Sequence, residues 1–90
     1  MEIRKLGADE HPPMDLLISA DPSPEKIKDY LHRGACYVAV SGGETAGVYV
    51  LLPTRPDTVE LVNVAVGEKY QGKGLGKQIV GDAIHTGRQA

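Results

Sequence analysis

A chain of 90 residues, 41% hydrophobic and 24% charged, has the length of one small folding unit and the ordinary balance of a globular protein, which excludes a disordered chain and a multidomain one. Ten Lys and Arg against twelve Asp and Glu leave a formal net charge of -2, so no global field draws the chain to nucleic acid or an anionic membrane, and any affinity for phosphate must be local. One cysteine excludes an internal disulfide, and without Trp or Phe the core must be filled by Leu, Ile, Val and four Tyr.

In chain order, "MEIRKL" alternates and predicts a short strand. "HPPMDLLISA" predicts a helix, with prolines suited to its start and Met14, Leu17 and Ile18 at helical spacing. In "DPSPEKIKDYLHRG" Ser23 caps, Pro24 suits the first turn, Ile27, Tyr30 and Leu31 form the apolar stripe, and Gly34 closes the helix. "ACYVAV" and "TAGVYVLL" flank "SGGE", the local signal for a hairpin. "PTRPDT" then makes a turn into "VELVNVAV", where strict alternation sets Glu60, Val62, Val64 and Val66 on one face and Leu61, Asn63 and Ala65 on the other. The last segment, "LGKQIVGDAIHTGRQA", predicts an amphipathic helix with Leu75, Ile79, Val80, Ala83 and Ile84 on its buried face, weakened by Gly81 and Gly87.

The longest apolar runs, such as "VYVLLP", fall far short of the ~20 residues of a spanning helix, and the acidic N-terminus lacks a signal peptide's apolar centre. A cytoplasmic location is expected. Cys36 sits in an alternating run with nothing nearby to lower its pKa, which predicts a small buried hydrophobe and not a nucleophile. His11, His32 and His85 have no partner at metal-ligand or triad spacing, so no metal is expected.

The order β-α-α-β-β-β-α predicts an α/β (α+β) unit over residues 1–90 with a mostly antiparallel sheet. A helix that follows a strand ordinarily returns the chain to a parallel neighbour. None follows here, so the expectation is the front part of a larger domain, truncated before its fifth strand, with an exposed strand edge that invites self-pairing into a homo-oligomer.

Between the fourth strand and the last helix, "VNVAVGEKYQGKGLGKQIV" concentrates glycine where the backbone must come close to something. A strand, a glycine-rich turn and a helix N-terminus make an anion site, because unbonded amides converge there and the helix dipole adds positive potential. Gly67 to Lys73 fits the opening of the P-loop pattern, but Gly74 stands where a Ser or Thr must reach magnesium. The dinucleotide fingerprint fails too, since Lys77 occupies its third glycine position. A tight strand-to-helix connection with solvated lysines is the purely structural reading.

Gln71-Gly72-Lys73-Gly74-Leu75-Gly76 fits the Q/R-x-x-G-x-G/A signature in full. With the preceding "VNVAV" and the following amphipathic helix, it resembles motif A of the GCN5-related N-acetyltransferase superfamily, and the order of elements extends that resemblance over essentially the whole chain. The resemblance implies an acyl-CoA N-acyltransferase-like fold and transfer of an acetyl group from acetyl-CoA to a primary amine by direct attack on the thioester. It implies that the amides of Gln71, Gly72, Lys73, Gly74, Leu75 and Gly76 bind the cofactor's pyrophosphate with help from Lys77, and that the backbone of Val64, Ala65 and Val66 pairs with the pantetheine arm. Glu60 stands where the histone-acetylating branch places its catalytic glutamate, which implies a general base, and Asn63 is a candidate to hydrogen-bond substrate or to satisfy the site internally. The family's general-acid tyrosine and the fifth strand that walls the cleft have no counterpart in this chain. A non-catalytic fragment that binds CoA weakly or self-assembles, and a nucleotide-phosphate binder of another kind, are the competing readings.

Overall fold

The structure, a computed structural model, describes residues 1–89. It runs β1 (Glu2–Lys5), α1 (Met14–Ala20), α2 (Pro24–Arg33), β2 (Ala35–Ser41), β3 (Glu44–Arg55), β4 (Thr58–Val66), a single 3-10 turn (Glu68–Tyr70) and α3 (Leu75–Gln89). The element order is the expected one. At the start of α2 the Ser23 hydroxyl accepts from the Lys26 amide at 3.3 Å with Pro24 in the first turn, and the Gly34 amide closes the helix on the Tyr30 carbonyl at 2.8 Å. Gly42 and Gly43 form the two-residue turn between β2 and β3.

The four strands form one antiparallel sheet in the order β1-β2-β3-β4. Helices α1 and α2 cover one face, where Leu17 and Ile27 pack on Val38, Val48, Val50 and Leu52. Helix α3 covers the other face, setting Leu75, Ile79 and Ala83 against Ala39, Ala46, Tyr49 and Leu51. Burying these apolar side chains, roughly 1.5–3 kcal/mol for each large one, is what holds the helices to the sheet. Gly47 on β3 is where α3 comes closest: a Cβ there would run into Ile79 Cδ1.

Two expectations need correction. Val50 pairs with Asn63 but Leu51 pairs with Leu61, so Val62 is an extra residue, a β-bulge in β4. Glu60 pairs with Leu52 of the α1/α2 core, and Val62 and Ala65 pack into that same core, whereas Val64 and Val66 pack under α3. The bulge therefore places Glu60 on the face of Asn63 and Ala65, opposite to Val64 and Val66, where unbroken alternation puts it with them. The second correction concerns α3, whose Val80 and Ile84 are 37% and 52% exposed. Among the described residues the sheet ends at β4, so the floor beneath α3 accommodates only the narrow stripe of Leu75, Ile79 and Ala83. No helix among the described residues is long and apolar enough to cross a membrane.

The two sides of α3 predict opposite glycine effects. Gly47→Ala should destabilise the fold by about 1–3 kcal/mol through overpacking against Ile79. Gly81→Ala, on the exposed side with nothing within 4 Å of its added Cβ, should stabilise by about 0.5–1 kcal/mol. Urea unfolding of both variants checks the two signs.

Candidate functional site

The stretch from Gly67 to Lys77 is fixed at its ends and unclaimed in its middle. The Gly67 amide bonds the Ala46 carbonyl at 2.7 Å and the Tyr70 amide bonds Gly67 at 2.8 Å; Gln71, expected to offer its amide to the pyrophosphate, instead donates it to the Glu68 carbonyl at 3.3 Å and reaches back with Nε2 to the Val66 carbonyl at 3.1 Å. At the far end the Gln78 amide begins the helical bonding by donating to Gly74 at 3.2 Å. Among the described residues, no amide of residues 72–77 makes a short, well-aligned hydrogen bond to a protein acceptor, the turns through residues 71–74 being only loosely bonded. Gly72 and Gly74 have φ of +79° and +80° with open space where a Cβ would be, so the loop turns in the left-handed region that side chains resist.

Those free amides sit at the N-terminus of a helix of 15 residues whose first turn carries no acidic side chain. Lys73 and Lys77 are exposed beside them. Unbonded donors, helix dipole and two ammonium groups all favour a negative guest, and the absence of side chains at Gly72, Gly74 and Gly76 lets it approach the backbone. The loop can therefore cradle a phosphate or diphosphate.

A second feature adjoins it. The Gly67–Ala46 bond fixes the alternation of the β3–β4 ladder, which makes Val48·Ala65 and Val50·Asn63 the hydrogen-bonded pairs and turns the backbone polar groups of Val64 and Val66 away from β3. No strand flanks β4 on that side among the described residues. Ala65 has its backbone in the ladder and its side chain buried, and the Val66 carbonyl is taken by Gln71. What the edge offers is thus the amide and carbonyl of Val64 and the amide of Val66, in line with the glycine loop.

The proposed polar residues of β4 differ in setting. Glu60 is exposed. Asn63, only 4% exposed, donates from Nδ2 to the Leu17 carbonyl at 3.1 Å and to the Tyr30 hydroxyl at 2.7 Å, tying both early helices to the strand. Its Oδ1 is buried without a partner among the described residues. The Tyr30 hydroxyl donates onward to Asp21 Oδ2 at 3.4 Å, and burial raises the Tyr30 pKa. Sequence reasoning gave Tyr30 only a place in an apolar stripe; the one signal it held was that a tyrosine in such a stripe needs a hydroxyl partner.

Two other polar contacts went unread. Tyr49, buried and stacked on Tyr37 with ring centroids 4.7 Å apart, donates to Asp82 Oδ2 at 2.7 Å and shares a hydrogen bond with Thr86 Oγ1 at 3.0 Å, which fixes the rotation of α3; burial raises its pKa. Glu44 Oε2 accepts from both Lys69 Nζ and the Tyr70 hydroxyl, just ahead of the loop. Cys36 is buried, and desolvation pushes its pKa up to about 11. Among the described residues no group of His, Cys, Asp or Glu is arranged to hold a metal ion.

Comparison with known proteins places this geometry in a family. The acetyltransferase (GNAT) family model matches residues 3–90. A curated Bacillus subtilis protein, named the uncharacterized N-acetyltransferase YvbK, is 59% identical over 75 residues, which are 83% of this chain and 48% of that protein. A GNAT family acetyltransferase from Elizabethkingia anophelis, solved with acetyl-CoA bound, superimposes with a TM-score of 0.95 at 41% identity, covering 98% of this chain and 57% of that one. A Bacillus subtilis acetyltransferase in complex with CoA does so with a TM-score of 0.87 at 51% identity, covering 98% and 59%. The chain thus spans about half the length of the curated relative it matches.

The two buried groups of the site region give separate predictions. At pH 8 the native Cys36 thiol should react with Ellman's reagent on the order of a hundredfold more slowly than a free thiol, and at the ordinary rate in urea, as its raised pKa requires. Asn63→Ala should cost about 2–3 kcal/mol in urea unfolding, because the Leu17 carbonyl and the Tyr30 hydroxyl lose their buried donor.

Proposed function

This chain belongs to the acetyltransferase (GNAT) family, and from that premise we propose that it binds acetyl-CoA and serves transfer of the acetyl group to a primary amine by direct attack. The observation that carries this reading is the run of unclaimed amides at residues 72–77, opening from left-handed glycines onto a helix N-terminus. Those donors fit a diphosphate. The open backbone groups of Val64 and Val66 fit an amide-bearing arm laid alongside β4 as an added strand. The relatives solved with acetyl-CoA and with CoA support the same ligand.

Acetyl-CoA supplies an activated thioester. The chain's residues supply the rest: the amides from Gly72 to Lys77 and the Lys73 and Lys77 ammonium groups hold the diphosphate end, and the β4 edge orients the arm. An amine attacks only when neutral, so an ammonium substrate must first give up a proton. Glu60 is assigned as the base that accepts it, being a carboxylate exposed on the same strand face as Asn63. Asn63 is assigned a positioning part, its amide holding α1 and α2 against β4.

The chain's span of about half its relative's length favours a second reading, in which these residues are one part of the catalytic unit. Leu61, Val80 and Ile84 stand exposed on β4 and α3 at the sheet's open side. Further polypeptide would complete the cleft and supply the general acid, whereas a second copy paired along β4 would supply only the missing wall.

Calorimetric titration with acetyl-CoA, alongside mass by light scattering, tests both. Gly74→Asp should weaken binding more than about tenfold with an unchanged circular dichroism spectrum, since it brings a carboxylate and a strained φ to the cradle. No binding by a folded wild-type chain overturns the proposal that these residues suffice. For any amine that is acetylated, Glu60→Gln should lower kcat by about 10²–10⁴-fold near neutral pH and leave acetyl-CoA affinity unchanged.

A further inference from the structure

We infer that Glu44, at the start of β3, is a positioning residue that orders the phosphate cradle through Lys69 and Tyr70; the ligand in this inference rests on the acetyl-CoA reading, and the ordering rests on the geometry alone. One oxygen, Glu44 Oε2, accepts from Lys69 Nζ at 2.8 Å and from the Tyr70 hydroxyl at 2.6 Å. Both donors lie in the 3-10 turn Glu68–Tyr70, directly before Gln71. Glu44 itself precedes them by 25 and 26 residues and follows the Gly42-Gly43 turn, so the tip of the β2–β3 hairpin holds the turn that launches the loop.

The exposed Lys69–Glu44 pair, with side chains 70% and 57% accessible, contributes little by itself. The phenol differs. Tyr70 is half-buried and packs against the α3-side core, so its orientation is set before the hydrogen bond forms and little side-chain freedom remains to be lost. Lys69 Nζ lies 5.7 Å from the Tyr70 ring centroid, which gathers ammonium, ring and carboxylate into one cluster. With the Gly67 amide on Ala46 and the Gln71 side chain on Val66, that cluster fixes the upstream end of the cradle. The first hydrogen bond of α3 fixes the downstream end. Donors held at both ends need no ordering when an anion arrives, which is where preorganisation raises affinity.

Two readouts on the full chain test this: acetyl-CoA affinity by calorimetry, and amide hydrogen exchange over residues 68–77 without ligand. Glu44→Ala should weaken acetyl-CoA about three- to tenfold and speed exchange across the loop, a modest effect suited to an exposed carboxylate. Glu44→Gln, which keeps an oxygen for the phenol, should lose less. Glu44→Ala combined with Tyr70→Phe should be no worse than the more severe single variant, because both remove the same contact. Asp29→Ala, which breaks the exposed ion pair with Arg33 on α2, should change neither readout. Wild-type affinity and exchange in Glu44→Ala, or additive losses in the double variant, overturn the inference. Should the wild-type chain bind no acetyl-CoA, the proposal that these residues suffice for the cofactor falls, while faster loop exchange in Glu44→Ala upholds the ordering role and unchanged exchange overturns it.

Discussion

The hydrogen bond from the Gly67 amide to the Ala46 carbonyl sets the register on which the rest of the site depends. A ladder alternates, so this one contact decides which residues of β4 face β3 and which face outward. It commits Ala65 to the sheet and leaves Val64 and Val66 with backbone groups at the edge. It also fixes the point where the strand stops and the glycine loop starts. Had the register slipped by one residue, Ala65 would face outward and the side chains of Val64 and Val66 would leave the core beneath α3.

The bulge at Val62 then divides β4 into two lengths with different tasks. On the loop side, backbone groups alone are offered and the side chains are structural. On the other side, Glu60 is moved onto the face that carries Asn63 and the early helices. One extra residue thus puts a charged side chain and a backbone track on the same strand without asking either to share the other's surroundings.

Much of this was legible locally. Ser23-Pro24, the Gly42-Gly43 turn and the run of glycines after "VNVAV" each carry their structural instruction within a few residues, and the element order followed from them. The bulge left no such mark: "ELVNVAV" alternates smoothly in type, because Val and Leu suit either face. Val80 and Ile84 were misassigned for a related reason. Helical periodicity shows which direction is apolar, but the width of the surface beneath depends on how far the sheet extends. Asn63 with Tyr30, and Glu44 with Tyr70, are contacts between residues 33 and 26 apart, and neither partner's neighbours announce the other.

The composition of β4 has a consequence for the chain's behaviour in concentrated solution. Strand edges left open to solvent are commonly kept from sticking by lysine, proline or a sharp twist. "TVELVNVAV" contains neither lysine nor proline, and Glu60 is its one charged residue. Only that carboxylate and the bulge protect the edge, and both lie away from the Val64–Val66 end. Where β4 has no neighbour, a molecule laid along Val64 and Val66 would also cover the stretch of edge that self-pairing would use.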